Sequence, residues 1–183
     1  MPSHLIKQTF LEKLRLSGFR VIAIEVPGYN EKLNEKYRSI VKNYISKSIS
    51  EKMEFVKEIL QDCEERIERG KDYVSQGYDL VFVYLPMPDI AEHLFYKGIK
   101  DRIYLYSIHK KLEKLISPLL NMANENNYVS LIVSDHGFDF ENYYHSDYGF
   151  YSLSKNIMWF KPRGITDFRN LIIRLINTSI ENI

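Results

Sequence analysis

Apolar positions along the chain follow two different patterns, and the first is a set of short continuous apolar runs. These runs occupy residues 19–27, 79–85 and 128–134. The centres of the first and third runs are apolar on both faces, as expected for strands buried inside a parallel sheet. A further run at 156–160 follows a loop, and we expect it to form an edge strand. The sequence therefore predicts four strands.

The second pattern repeats apolar residues at steps of three and four, which is typical of one buried helical face. It predicts helices over residues 5–16 and 50–69, and a short helical turn over 89–95. A longer helix is expected from near Asp101, and a final one from near Thr166.

Capping residues, glycine and proline indicate where these helices begin and end. Ser48 with Glu51, or Ser50 directly, is expected to cap the second helix. Gly18 and Gly70 are placed to end the first and second helices. In the longer helix, Ser117-Pro118 is expected to produce a kink or a restart.

The order of elements alternates between helices and strands. This order predicts an α/β protein, a three-layer α/β/α sandwich with a mostly parallel sheet. With 183 residues, one domain spanning 1–183 is expected. Ligands of such sheets bind beyond the carboxyl ends of the strands, so the residues that follow each strand are the first place to look for chemistry.

Composition excludes several classes of protein. Twenty-five basic and 24 acidic residues give a net charge of +1, which offers no bulk field for nucleic acid or an anionic membrane. No apolar run approaches the ~20 residues of a membrane-spanning helix. Cys63 is the sole cysteine, so no intramolecular disulfide can form and a cytoplasmic location is favoured. Its place on an apolar helical face indicates a core side chain.

Residues that can bind a metal follow two of the predicted strands. Asp89 and His93 come after the strand at 79–85, and Asp135 and His136 come directly after the strand at 128–134. Asp89 and His93 stand four residues apart, which places both on one face of a helical turn. A third histidine, His145, follows His136 by nine residues.

Each motif alone has an ordinary structural explanation, because Asp is common in turns and His on surfaces. Their joint occurrence at the ends of apolar strands favours a metal site. Mixed Asp and His ligation suits zinc, manganese or iron far better than calcium or magnesium.

At these residues the chain resembles the alkaline phosphatase superfamily. It is most similar to the type I phosphodiesterase/nucleotide pyrophosphatase branch. The matching segments lie within residues 10–155 and read FLEKLRLSGFRVIAIEVPGYN, DLVFVYLPMPDIAEH, SLIVSDHGFD and YHSDYGFYS. The Ser-Asp-His-Gly-Phe element is the most specific of them.

The resemblance implies a site with two metal ions, which are usually zinc in that family, so zinc is the most expected metal and manganese or iron are alternatives. Asp89, His93 and His145 would hold one metal, and Asp135 with His136 would hold part of the second. The family completes its second site with another Asp and a Thr or Ser nucleophile on an upstream strand and helix. No catalytic nucleophile is identified in this sequence, so the chain is expected to correspond to the C-terminal part of a larger catalytic domain.

Three functions stay open at this point. One is a metal-dependent phosphodiesterase or pyrophosphatase that is weak alone or forms half of a split enzyme. Another is a non-catalytic metal-binding remnant used for binding or assembly, and a third is a phosphomutase or sulfatase. The expected substrate is a phosphate-ester small molecule or a nucleotide. Uncovered edges of the strands at 19–26 and 128–134 predict a homodimer or a complex with a complementary polypeptide.

Overall fold

The computed structural model of the protein describes residues 3–180. In order along the chain the elements are α1 (Ser3–Ile6), α2 (Phe10–Leu16), β1 (Val21–Ile24), α3 (Leu33–Tyr44), α4 (Ile49–Ser75), β2 (Leu80–Val83), α5 (Met87–Leu94), α6 (Ile99–Glu125), β3 (Leu131–Val133), β4 (Gly137–Asp139), β5 (Tyr144–Ser146), β6 (Tyr151–Leu153) and α7 (Asp167–Ile180). Within these residues no helix is both long and apolar enough to cross a bilayer.

The strands form three small sheets. β1 and β2 pair in parallel, with Val21 opposite Leu80 and Ile24 opposite Val83. β3 pairs with β6 and β4 pairs with β5, both antiparallel. The mixed helix and strand class is therefore as expected, but a three-layer sandwich with a mostly parallel sheet is not confirmed. The reason is that β3 pairs with β6, which follows the β4–β5 hairpin, instead of joining the parallel strands. An apolar pattern in the sequence does not specify which strand a given strand pairs with.

The edge strand predicted at 156–160 is wrong. That segment forms turns, and the nearby strand is β6 instead. Phe160 packs its ring against Tyr151 and Phe168, at centroid distances of 6.0 and 5.2 Å. The apolar residues of this segment thus serve an aromatic cluster between β6 and α7. The final helix begins one residue after Thr166, as expected.

The first predicted helix is divided into α1 and α2. Thr9 separates them because its hydroxyl donates to the carbonyl of Ile6 and accepts from the amide of Glu12, which caps α2. Gly18 follows α2 with φ +91°, a conformation that glycine adopts without strain, so its predicted role at the helix end is confirmed.

Helix α4 has the predicted start and a later end. Ser48 and Glu51 form a reciprocal capping box at its N-terminus. Gly70 does not end the helix, which continues to Ser75. A Cβ at Gly70 would lie 3.1 Å from Val83 Cγ2 and 3.3 Å from Leu119 Cδ2, so this glycine lets α4 approach β2 and α6 closely. Helix α6 likewise runs through Pro118 without restarting.

Helix α3 was not predicted from the sequence. The helix is mostly polar, but four residues at steps of three and four would have indicated a buried helical face. They are Tyr37, Ile40, Val41 and Tyr44. Tyr37 is buried, and Tyr44 stacks on Phe55 of α4 at 4.3 Å. This face packs α3 onto the main core.

The main core lies where α4, α5 and α6 meet. Its buried side chains include Phe55, Val56, Ile59, Cys63, Ile90, Leu94, Leu105 and Ile108. A second cluster joins α2, β1 and α7 through Leu11, Leu14, Val21, Ala23 and Ile176. Burial of apolar surface in the main core holds α5, the helix that carries Asp89 and His93, in a fixed position.

Candidate metal centre

Helix α5 presents the first pair of predicted ligands. It begins after Pro86, directly beyond the carboxyl end of β2. Asp89 and His93 share one face, with 3.4 Å between Asp89 Oδ1 and His93 Nε2. The expectation that this segment is helical and that the two side chains meet is confirmed.

The hairpin of β4 and β5 brings the other histidines to the same place. His145 lies opposite Phe138 in the antiparallel ladder, and His136 immediately precedes β4. The two imidazole rings stack with centroids 3.7 Å apart and planes 14° apart. Gly137 permits this arrangement, because a Cβ there would lie 2.8 Å from both Ser146 Oγ and the Tyr148 carbonyl oxygen.

The two groups converge on a single point. His145 Nε2 lies 3.0 Å from Asp89 Oδ1 and 3.0 Å from His93 Nε2. One ligand atom each from Asp89, His136 and His145 also lie within 4.8 Å of one another. Four of the five predicted site residues thus meet between α5 and the hairpin.

The donor set fits a transition metal. Asp89 Oδ1 is buried and makes no hydrogen bond, although two ring nitrogens lie 3.0 and 3.4 Å away. Ligands at ~2.0–2.1 Å from a tetrahedral metal are separated from each other by ~3.3 Å, which is close to these distances. A buried carboxylate oxygen without a hydrogen bond is costly, and a cation would satisfy it.

The cluster also shifts the acidity of its members. Burial alone would raise the pKa of Asp89, but the His93 contact and the charges of His93, His145 and His136 together lower it below its usual range. The same contact with Asp89 raises the pKa of His93, against the opposing effect of burial. Burial raises the pKa of the neighbouring Glu92.

Asp135 does not join the cluster. Its side chain is 70% exposed, and its Oδ1 lies 3.7 Å from His136 Nε2. The adjacent Ser134 hydroxyl donates to the carbonyl oxygen of His136. Of the two residues that the resemblance assigns to a second metal, His136 therefore lies against His145, whereas Asp135 faces solvent.

Residues around the cluster complete its wall. Phe138 meets the His93 ring edge-on at 5.5 Å, and Tyr144 stacks on His145 at 5.2 Å. Glu92 lies 4.0 Å from His109 Nε2 of α6. His109 is 44% exposed, and its Nδ1 contacts the carbonyl oxygen of Leu105. The pairing of Glu92 with His109 joins two helices, and no local sequence pattern indicates it.

In this mixed helix and strand chain, one Asp and three His side chains lie together beyond the end of β2. They provide the oxygen and nitrogen donor atoms that a metal site needs. The family model for type I phosphodiesterase / nucleotide pyrophosphatase matches residues 2–160. Because the match covers most of the chain, the protein belongs to that family, and the resemblance noted from its motifs is confirmed. Searches of curated proteins and of solved structures gave no match.

Proposed function

We propose that the protein acts as a metal-dependent phosphoric ester hydrolase of the phosphodiesterase/nucleotide pyrophosphatase type, on a phosphate-ester small molecule or a nucleotide. The observation that carries the proposal is the meeting of Asp89, His93 and His145 within 3.0–3.4 Å of one another in a chain of this family.

In this proposal Asp89, His93 and His145 hold the metal, with zinc preferred and manganese or iron as alternatives. A divalent metal supplies positive charge that stabilises the phosphoryl oxygens during displacement. The carboxylate of Asp89 offsets part of that charge, and the rings of Phe138 and Tyr144 pack against His93 and His145.

Hydrolysis of this type also requires a nucleophile. Family resemblance places a Thr or Ser and a further Asp on a segment whose counterpart is not identified here. We propose that a complementary polypeptide supplies them, and that the chain alone hydrolyses esters slowly. Asp135 is exposed and is available to such a partner.

We propose that the chain associates with a second polypeptide through the unpaired edges of its strands. Within residues 3–180, β1 and β2 have each other as their one ladder neighbour. Every residue of β2 is half-buried, although its sequence is entirely apolar. A free edge of this kind invites pairing with a second copy or a complementary polypeptide. Sedimentation velocity over a concentration series tests this, and a monomer at high micromolar concentration would contradict it.

A non-catalytic metal-binding subunit is the second candidate. The placement of Asp135 away from the other four residues favours it, because a second metal would then lack ligands from this chain. A cytoplasmic location is retained as a proposal from cysteine usage.

One assay separates the two candidates. The chain is stripped with a chelator, reloaded with zinc, manganese or iron, and assayed on bis(p-nitrophenyl) phosphate. We expect turnover well below ~1 s⁻¹ that requires the metal and is lost in His145→Ala. The matched control is His4→Ala, at an exposed position on α1. Metal binding without any turnover would favour the non-catalytic subunit, and absence of both would refute the metal site.

A further inference from the structure

We propose that the loop between β6 and α7, residues 154–166, is a docking surface for a membrane that contains anionic phospholipids. The candidate metal ligands lie outside this loop, so the proposal does not depend on metal binding. It gives the protein a partner, a lipid surface, in addition to the proposed substrate.

The first support is a concentration of exposed apolar side chains in the β6–α7 loop. Met158 is 83% exposed, Trp159 53% and Ile165 52%. Single exposed apolar residues are ordinary on a protein surface, whereas a group of them within eight residues of one loop is characteristic of an interaction site. Apolar side chains of this kind, tryptophan above all, enter the boundary between the headgroups and the acyl chains of a bilayer.

Basic residues accompany the apolar ones. Lys155, Lys161 and Arg163 belong to the same loop and are exposed. Residues 155–174 contain five basic residues and one acidic residue, which leaves 20 basic and 23 acidic residues in the rest of the chain. The net charge of +1 therefore includes a local excess of positive charge, and that excess complements the negative surface of an anionic bilayer.

Aromatic packing keeps this loop in position. The Phe160 ring contacts Trp159 at a centroid distance of 6.1 Å and Phe168 of α7 at 5.2 Å. The guanidinium carbon of Arg174, also on α7, lies 4.3 Å from the centre of the Trp159 ring. Phe160 thus faces the protein, and Met158 and Trp159 remain exposed beside it.

Two cavities of about 270 Å³ adjoin the Trp159 side chain. Arg174 lines the first, and Lys161 and Arg163 line the second. Asp167 also lines the second cavity, but its carboxylate accepts hydrogen bonds from two backbone amides of the loop. Lys161 and Arg163 are therefore placed to bind the phosphate of a lipid headgroup while the apolar side chains contact the acyl region.

A single-stranded nucleic acid also combines phosphate with apolar groups, but its bases bind by stacking on aromatic rings. Met158 and Ile165 have no ring, and the Arg174 guanidinium already lies over the ring of Trp159. The side chains of the loop therefore favour a lipid surface over a nucleic acid.

The fluorescence of Trp159 tests the proposal directly, because it is the sole tryptophan of the chain. The protein is mixed with vesicles of phosphatidylcholine alone, or of phosphatidylcholine with phosphatidylserine. We expect its emission to shift to shorter wavelength with the anionic vesicles only, and the shift to weaken as salt is added. Cosedimentation with the vesicles measures the affinity. No shift with anionic vesicles, or an equal shift with both kinds, would overturn the proposal.

Two variants and two matched controls locate the surface. Met158→Ser should weaken vesicle binding about tenfold, and Lys161→Gln about fivefold. The controls are Leu16→Ser, at an apolar side chain of α2 that is 84% exposed, and Lys114→Gln, at an exposed position of α6. Both controls should bind as the wild type does. Losses in the controls as large as those in the loop variants would overturn the assignment to this loop.

Two soluble compounds separate a membrane from other sources of the same chemistry. Glycerophosphoserine supplies the headgroup without acyl chains, and a single-stranded oligothymidylate supplies phosphates with bases. Neither should shift the emission of Trp159. A shift with glycerophosphoserine would assign the loop to a free phosphate compound, and a shift with the oligonucleotide would assign it to nucleic acid. Either result would overturn the proposed lipid surface.

Discussion

The guanidinium of Arg66 on α4 donates a hydrogen bond of 2.9 Å to the carbonyl oxygen of Tyr84, the residue that follows β2. Arg66 is almost fully buried and also pairs with Asp62 one turn earlier. Near the other end of α4, Lys52 Nζ donates to the carbonyl oxygen of Leu94, the last residue of α5. Two buried cations of one helix thus hold the segment that carries Asp89 and His93 at both of its ends.

Replacing Arg66 by Met should destabilise the fold strongly. The substitution keeps apolar volume but leaves Asp62 buried without its partner, and breaking a buried ion pair in this way costs about 3–5 kcal/mol. Urea denaturation measures the change. Lys36→Ala is the control, because Lys36 and Glu58 form an exposed pair whose loss should leave the midpoint nearly unchanged. Equal effects of both substitutions would contradict the argument.

Replacing Lys52 by Met should loosen the C-terminal end of α5. The Leu94 carbonyl would lose a charged donor in a buried place, at a cost of about 1.5–3 kcal/mol. Hydrogen exchange should be faster at the amides of α5 in this variant. A metal titration of the same variant should show weaker metal binding. Unchanged metal affinity would show that this contact supports the fold without positioning the ligands.

Metal removal should lower thermal stability. A ligand that binds the folded state alone stabilises it by about 2.7 kcal/mol at 100 times its dissociation constant. Differential scanning calorimetry with and without zinc should therefore show a higher melting temperature with the metal, and no shift in Asp89→Asn. Asp139→Asn is the control, since Asp139 bonds within its own turn. A zinc shift that persists in Asp89→Asn would place the metal elsewhere.

Cys63 should resist alkylation in the folded protein. Burial raises the pKa of its thiol from 9.0 to about 12, so at pH 8 the reactive thiolate is ~1,000-fold scarcer than for an ordinary cysteine. Because the unfolded thiol ionises first, this residue favours unfolding as pH rises between 9 and 12. Iodoacetamide labelling with and without denaturant measures the difference, and rapid labelling of the native chain would contradict it.

Gly149→Ala should disturb the loops that carry His136 and His145. A Cβ at this position would overlap the carbonyl oxygen of Ser134, which is backbone and has little freedom to move. We expect a loss of about 1–3 kcal/mol and of metal binding together. Gly98→Ala is the control, because a Cβ there meets nothing within 4 Å. Normal metal binding by Gly149→Ala would show that these loops tolerate separation.

Local patterns in the sequence were sufficient to predict much of the structure that carries the candidate ligands. The four-residue spacing of Asp89 and His93 correctly placed both on one helical face, and Ser48 with Glu51 correctly marked the start of α4. These features depend on neighbouring residues along one element, where spacing determines geometry.

Features that depend on distant contacts were not predictable in the same way. Gly70 has the residue type of a helix end, but it lies inside α4 because Val83 and Leu119 need the space. His136 was grouped with Asp135, its neighbour in sequence, whereas the hairpin register places it against His145. Strand pairing determines that register, and the apolar pattern of β3 does not encode its partner.

The ligands of the metal centre come from widely separated parts of the chain, and His93 and His145 are 52 residues apart. A bound ion would therefore act as a covalent-like cross-link that closes a long loop and reduces the entropy of the unfolded chain. With a single cysteine, this protein has no disulfide to perform that task. The ion would then link the hairpin of β4 and β5 to the helical core and restrict their separation.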